Sequence, residues 1–304
     1  MPDAGPAAEL HTIRDFLRYA VSSFRAARLA HGHGATSAID EAAFLILETL
    51  NLPVDDINPW LDARLTSAER GALGDIIRTR IETRKPAAYL TRRTYIHGMP
   101  FYVDERVIVP RSYIGELLFS GLFGGEGFNL IEEPGNVTTV LDLCTGSGCL
   151  AIIAAGIFPT AAIDAADLSE AALEVARINV DEHDLASQIN LLQGDLLDAV
   201  EARTYDLIIT NPPYVAHGEV DAFPREYAHE PAMAHLGGED GLDIVRRILA
   251  EAAGHLNPGG GLLCEIGTGR GILTAEYPHL DFFWLDTEES QGEVFWLTRE
   301  QLTA

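Results

Sequence analysis

The chain has 304 residues, and its 21 Lys+Arg against 46 Asp+Glu give a net charge of −25. Its composition, 47% hydrophobic and 22% charged, is that of a globular chain rather than a disordered one, and at roughly 100–200 residues per domain the length fits two domains or one large α/β domain with an extension. The longest apolar run, Leu150 to Phe158 closed by Pro159, falls well short of the ~20 residues that span a bilayer. The acidity disfavours tight nonspecific binding of nucleic acid, which needs clustered Lys and Arg.

The first ten residues, MPDAGPAAEL, lack the basic start and apolar run of a signal peptide. Cys144, Cys149 and Cys264 fit neither a disulfide framework nor a CxxC metal site, so a reducing cytoplasm is expected. Leu10, Ile13, Phe16, Leu17, Ala20, Val21 and Phe24 recur at helical spacing within 8–30. A second helix is expected from Ile39 to Leu50. A third starts at the Thr66/Glu69 capping box and runs to about Arg84. Residues 1–88 thus form an expected helical domain. Residues 89–112 change to β-favouring pairs, with Tyr95-Ile96, a His97-Gly98 turn, Phe101-Tyr102-Val103 and Val107-Ile108-Val109, and predict a β-hairpin connector. A glycine-rich loop follows over 121–135.

Residues 113–304 form the expected catalytic domain. From Val137 strands and helices alternate: strands at Thr139–Leu143, Ala161–Asp167, Gln188–Asp195, Tyr205–Thr210 and Gly261–Ile266, and helices at Gly148–Ile157, Ser169–His183 and Leu242–His255. A β-pair, Asp281–Leu285 with Glu293–Leu297, closes the chain. The pattern is that of an α/β fold with a mostly parallel sheet covered on both faces.

Four polar residues fall at successive strand ends: Asp142, Asp167, Asp195 and Asn211. In open α/β sheets the ligand crevice lies beyond those ends. Asp142 leads into Cys144-Thr145-Gly146-Ser147-Gly148-Cys149, whose glycines permit a tight turn and close approach to a ligand. Asp167 suits the hydroxyls of a ribose, and Asp195 an adenine amine. Asn211-Pro212-Pro213-Tyr214 follows a buried strand. Its two prolines remove two backbone donors, so the Asn211 side-chain oxygen and the Pro212 carbonyl make an acceptor-only cradle for a planar NH₂, beside the flat face of Tyr214. His31-Gly32-His33 reads as a polar loop with no metal expected, and Cys144 and Cys149 as structural cysteines.

The turn at 142–149, the acid at 167 and the NPPY at 211–214 resemble those of S-adenosylmethionine-dependent methyltransferases acting on planar nitrogens. Pro86-x-x-Tyr89-Leu90, Phe101-Tyr102-Val103 and Val109-Pro110-Arg111 with Glu116 are similar to the protein glutamine N5-methyltransferase family. Arg225-Glu226-Tyr227-Ala228-His229-Glu230-Pro231 and Asp240-Gly241-Leu242 resemble its branch acting on ribosomal protein L-three of the large subunit. Tyr113 stands where that branch leads one to expect proline, and Ala228 where arginine is common. The resemblance implies a Rossmann-like class I methyltransferase domain with a seven-stranded sheet, preceded by a substrate-recognising helical domain. It also implies S-adenosylmethionine as cofactor, held by Asp142, Thr145, Gly146, Gly148, Asp167, Asp195, Leu196 and Asn211, with catalysis at Asn211, Pro212 and Tyr214 and substrate binding at Asn211, Pro212, Pro213 and Tyr214. The implied partner is a basic ribosomal protein, free or in an assembling particle. A release factor with a Gly-Gly-Gln loop and a nucleic-acid base remain as alternative substrates, and binding without catalysis as an alternative role.

Overall fold

The computed structural model describes residues 9–220, 222–288 and 290–304; residues 1–8, which bear on the signal-peptide expectation, lie outside this range. Contacts divide the chain into two units. One takes the chain up to Glu105 together with Phe223–His229, and the other takes Arg106–Ala222 and Glu230–Ala304.

The first unit contains the helices α1 (Ile13–Ala27), α2 (Ala38–Thr49), α3 (Ser67–Thr83) and α4 (Ala87–Thr91) and the hairpin β1 (Thr94–Ile96) and β2 (Met99–Phe101). Thr66 and Glu69 form the expected capping box at α3. His97 and Gly98 both take positive φ, 47° and 80°, as a two-residue hairpin turn matched to strand twist requires. Phe16, Phe24, Leu45, Ile46, Leu73 and Ile77 make the core, each worth about 1.5–3 kcal/mol of buried apolar surface.

On α3 the buried positions are Leu73, Ile77 and Arg80, so a charge occupies one place on the apolar stripe. Arg80 pairs with Glu41, donates to the Ala30 carbonyl at 3.1 Å and lies 3.8 Å from Glu226. Glu226 also accepts from the Ala30 amide and from Arg84 at 3.1 and 3.2 Å. His31 contacts Glu41 at 2.5 Å, and His33 faces Tyr227 with ring centroids 4.3 Å apart. The His-Gly-His stretch therefore belongs to the seat of Phe223–His229.

The second unit begins with a correction. Val107-Ile108-Val109 forms no strand, because Val107 and Val109 are buried as coil and the Val109 amide donates to the Glu230 carboxylate at 2.8 Å instead of to a neighbouring strand. Helix α5 (Tyr113–Phe119) precedes β3 (Thr139–Leu143), α6 (Cys149–Ile157), β4 (Ala162–Asp167), α7 (Glu170–Glu182), β5 (Ile189–Gln193), β6 (Tyr205–Thr210), α8 (His217–Val220), α9 (Asp243–Glu251), β7 (Leu256–Glu265), α10 (Arg270–Glu276), β8 (Phe283–Asp286), β9 (Gln291–Thr298) and α11 (Arg299–Leu302). Among the described residues the strands form one seven-stranded sheet in the order β5-β4-β3-β6-β7-β9-β8. The pairs from β5 to β7 are parallel, and β9 runs antiparallel to β7 and β8. This is the expected α/β class with the expected closing β-pair.

Strand order reverses between β3 and β6, the switch point at which open α/β sheets bind ligands. Leu141, Leu143, Ile208, Leu262 and Phe295 are buried in one core. The helix expected to end at His255 instead becomes a 3₁₀ turn over Ala252–His255. Strand β7 starts earlier than its apolar run, with Leu256 already paired to Tyr205 across an irregularity in the ladder.

Candidate active site

A cavity of about 380 Å³ opens beyond the carboxyl ends of the four parallel strands β3, β4, β5 and β6. Its lining includes Cys144 and Gly146 after β3, Asp167 and Leu168 at the end of β4, Asp195 and Leu196 after β5, and Asn211 and Pro213 after β6. Four loops that are far apart in sequence thus meet at the place their common position predicted.

Asp142 and Thr145 support the first loop from beneath and are not among the lining residues. The Asp142 side chain is fully buried, and its Oδ2 accepts from Thr145 Oγ1 at 2.6 Å and from the Ala151 amide at 3.0 Å. Burial pushes its carboxyl up to about 7 against these hydrogen bonds. Gly146 and Gly148 both have positive φ. At Gly148 a Cβ would also come to 3.2 Å from that of Ala176, so glycine lets α6 start close against α7.

Asp167 accepts from the Gly146 amide on Oδ2 at 2.9 Å and from the Ser169 amide on Oδ1 at 2.8 Å. Its carboxylate is held at a fixed angle, each oxygen keeping a further lone pair. Burial raises its pKa. Asp195 does line the cavity, but its Oδ2 accepts from Arg247 at 2.8 Å, so one of its two oxygens is already engaged. Leu196 takes a positive φ of 52°. Burial drives the thiols of Cys144 and Cys149 up, the latter to about 12; both stay protonated and unreactive at neutral pH.

Asn211 directs a buried Oδ1 that has no hydrogen-bond partner among the described residues. Pro213 joins it in the lining, whereas Pro212 is buried and Tyr214 stands outside the lining. The stretch 235–241 braces this segment: Val215 donates to the His235 carbonyl at 2.8 Å, and Gly237 to the Val215 carbonyl at 2.9 Å. At Gly241 a Cβ would fall 2.3 Å from the Tyr214 carbonyl oxygen.

Two acids, of which Glu265 carried no site expectation, complete the surroundings. Glu230 takes a two-pronged ion pair from Arg111, at 2.8 and 2.9 Å, and lies 3.0 Å from His235. Glu265, at the end of β7, accepts from the Tyr214 hydroxyl at 2.9 Å, from Ser112 Oγ at 2.7 Å and from the Tyr113 amide at 2.9 Å. Burial raises Glu265 to about 7, and burial beside Glu265 raises the Tyr214 phenol. The rule applied to the first four strands, a polar residue at the carboxyl end, would have found Glu265 on the fifth.

The methyltransferase small domain family matches residues 129–236, a range that contains every one of these strand-end loops up to the NPPY. The chain is 55% identical to the ribosomal protein uL3 glutamine methyltransferase of Bradyrhizobium diazoefficiens, over 97% of this chain and 92% of that one. It is 51% identical to the protein of the same description from Bordetella pertussis, over 97% of each. Among solved structures it is similar to a methyltransferase from Pyrococcus furiosus, with 18% identity, a TM-score of 0.49 and coverage of 73% of this chain and 97% of the other. With half or more of its residues shared along nearly the whole length of such relatives, the chain belongs to the family of ribosomal protein uL3 glutamine methyltransferases.

Proposed function

We propose that the protein transfers a methyl group from S-adenosylmethionine to the side-chain amide nitrogen of a glutamine in ribosomal protein uL3. The observation that carries this reading is the buried Asn211 Oδ1 at the mouth of β6, without a hydrogen-bond partner among the described residues. A buried acceptor left without a donor costs about 1–3 kcal/mol, and an incoming amide N–H would supply the missing bond.

The residues present fit the cofactor. The cavity is within the size range of small-ligand sites, with Asp167 suited to a ribose diol and Asp195 and Leu196 to the adenine. When bound, S-adenosylmethionine supplies a methyl group on a sulfonium centre, an electrophile whose departure leaves a neutral thioether. An amide nitrogen is a weak nucleophile, so the protein's task is orientation. Asn211 Oδ1 and the Pro212 carbonyl accept the amide hydrogens and fix the nitrogen, and such positioning contributes up to ~7–11 kcal/mol to lowering a barrier. As the nitrogen gains positive character, the same acceptors hold it more strongly than in the ground state, and once the methyl is bound the nitrogen releases one of its two protons to solvent. The net charge of −25 favours encounter with a basic protein. Residues up to 88 serve as the substrate-recognising part.

The test is transfer of labelled methyl from S-adenosylmethionine to purified uL3 and, in parallel, to release factors, with mass spectrometry to locate the modified residue. Methylglutamine in uL3 is the expected result. Modification of release factors alone overturns the substrate, and silence on both overturns the activity.

A further inference from the structure

Glu265 does not line the cavity, yet three donors converge on its sealed carboxyl: the Tyr214 hydroxyl on Oε1, and Ser112 Oγ and the Tyr113 amide on Oε2. A carboxyl persists in a core only where hydrogen bonds offset its desolvation, and here one of those bonds ties it to the aromatic ring that lies three residues after Asn211 in the NPPY segment. The other edge of that ring is equally constrained. Gly267 has φ +56°, and a Cβ there would come to 2.7 and 2.8 Å from Tyr214 Cδ2 and Cε2. The ring is thus set by a missing side chain along its edge and by a tether at its hydroxyl.

We propose that Glu265 is a positioning residue for Tyr214, fixing the tilt of the ring so that a planar substrate amide held by Asn211 meets a preset aromatic face. The assignment rests on the reading of Asn211–Tyr214 as the amide cradle. Ser112 and Tyr113 hold the carboxyl in turn, so the start of α5 acts on the ring through Glu265. Tyr113 has a specific part in this: proline, expected at that position, has no N–H to donate.

The chemistry of the three bonds predicts how variants behave. The Tyr113 amide can only donate, so in Glu265→Gln the amide oxygen stays on Ser112 and Tyr113 and the NH₂ turns to Tyr214. The phenol then accepts instead of donating, and a tether survives. Glu265→Leu and Tyr214→Phe each remove it.

The experiment measures kcat, KM and cofactor binding by calorimetry for E265L, E265Q, Y214F and the double variant Y214F/E265L, with thermal melts as a check on folding. E265L and Y214F are expected to lose about 10- to 100-fold in kcat, the value of one hydrogen bond to a charged group, while KM for S-adenosylmethionine holds. The double variant is expected to be no worse than the poorer single one, and E265Q to recover most of the loss. Additive losses in the double variant, or E265Q as impaired as E265L, overturn the proposal. The ¹³Cζ resonance of labelled Tyr214, assigned by Y214F, reads the tether without turnover and is expected to move in E265L and E265Q. A resonance unmoved by both overturns the proposal even if E265L folds poorly. Wild-type inactivity on uL3 refutes the functional reading alone, since the resonance reports on the ring whatever the substrate.

Discussion

Asn211→Ala separates catalytic from structural worth because the two have opposite signs at this atom. The Asn211 Oδ1 is buried without a partner among the described residues, so the folded chain carries an uncompensated desolvation of about 1–3 kcal/mol that the substitution removes. Against this stands the loss of the packing contacts of a small, half-buried side chain, of similar size. The difference leaves stability within about 1 kcal/mol of the parent. Turnover behaves otherwise, since deleting one acceptor aimed at developing charge costs about 10²–10³ in kcat. Urea denaturation and single-turnover methyl transfer at saturating S-adenosylmethionine, on the same preparation, read the two quantities together. A loss of more than about 3 kcal/mol in stability, the scale of a broken core contact, would refute the reasoning, as would a turnover within tenfold of the parent.

Two further outcomes follow from buried charge. Asp142 is lifted by burial from 3.8 to about 7, so the folded chain binds this proton more tightly than the unfolded one; the stability it contributes is full below about pH 3.8 and is lost as pH rises through about 7. Asp142→Asn, which keeps an oxygen on Thr145 and Ala151, is expected to show a shallower decline across that window in denaturant melts, and an unchanged slope counts against the assignment. Arg80→Leu leaves Glu41 and Glu226 short of a buried cation, a loss of about 3–5 kcal/mol in the helical unit. Unfolding followed by Trp60 fluorescence checks this, and a change below about 1 kcal/mol, the range of exposed pairs, argues against it.

The parallel sheet was legible because its strands are short apolar runs bounded by turn residues, and a strand buried on both faces has little room for anything else. The strand-end rule then located Asp167, Asp195 and Asn211 at one cavity without any knowledge of their distance in space. Arg80 was hidden for the opposite reason: a charged residue on an apolar stripe reads as an interruption, and only the carboxylates brought from α2 and from Phe223–His229 explain it. Val107 and Val109 read as strand residues because β propensity records fit to a half-buried surface rather than pairing; the Val109 amide turned out to serve a side-chain acid. Asp195 was legible as a cavity residue, but its partner Arg247 comes from α9, a relation no local pattern contains.

The membership of Phe223–His229 in the unit that otherwise ends at Glu105 bears on how the protein is made. The helices leave the ribosome roughly 120 residues before the segment that completes their unit, which at ~5–20 residues per second is a wait of roughly 6–25 s. Throughout it Arg80 has Glu41 but lacks Glu226, and the seat of Tyr227 against His33 stays empty. The Glu226 and Tyr227 contacts of the helical unit therefore wait on translation of β3 to β6 and of the Asn211 loop, and a pause of the ribosome within that stretch prolongs the time for which Arg80 lacks Glu226.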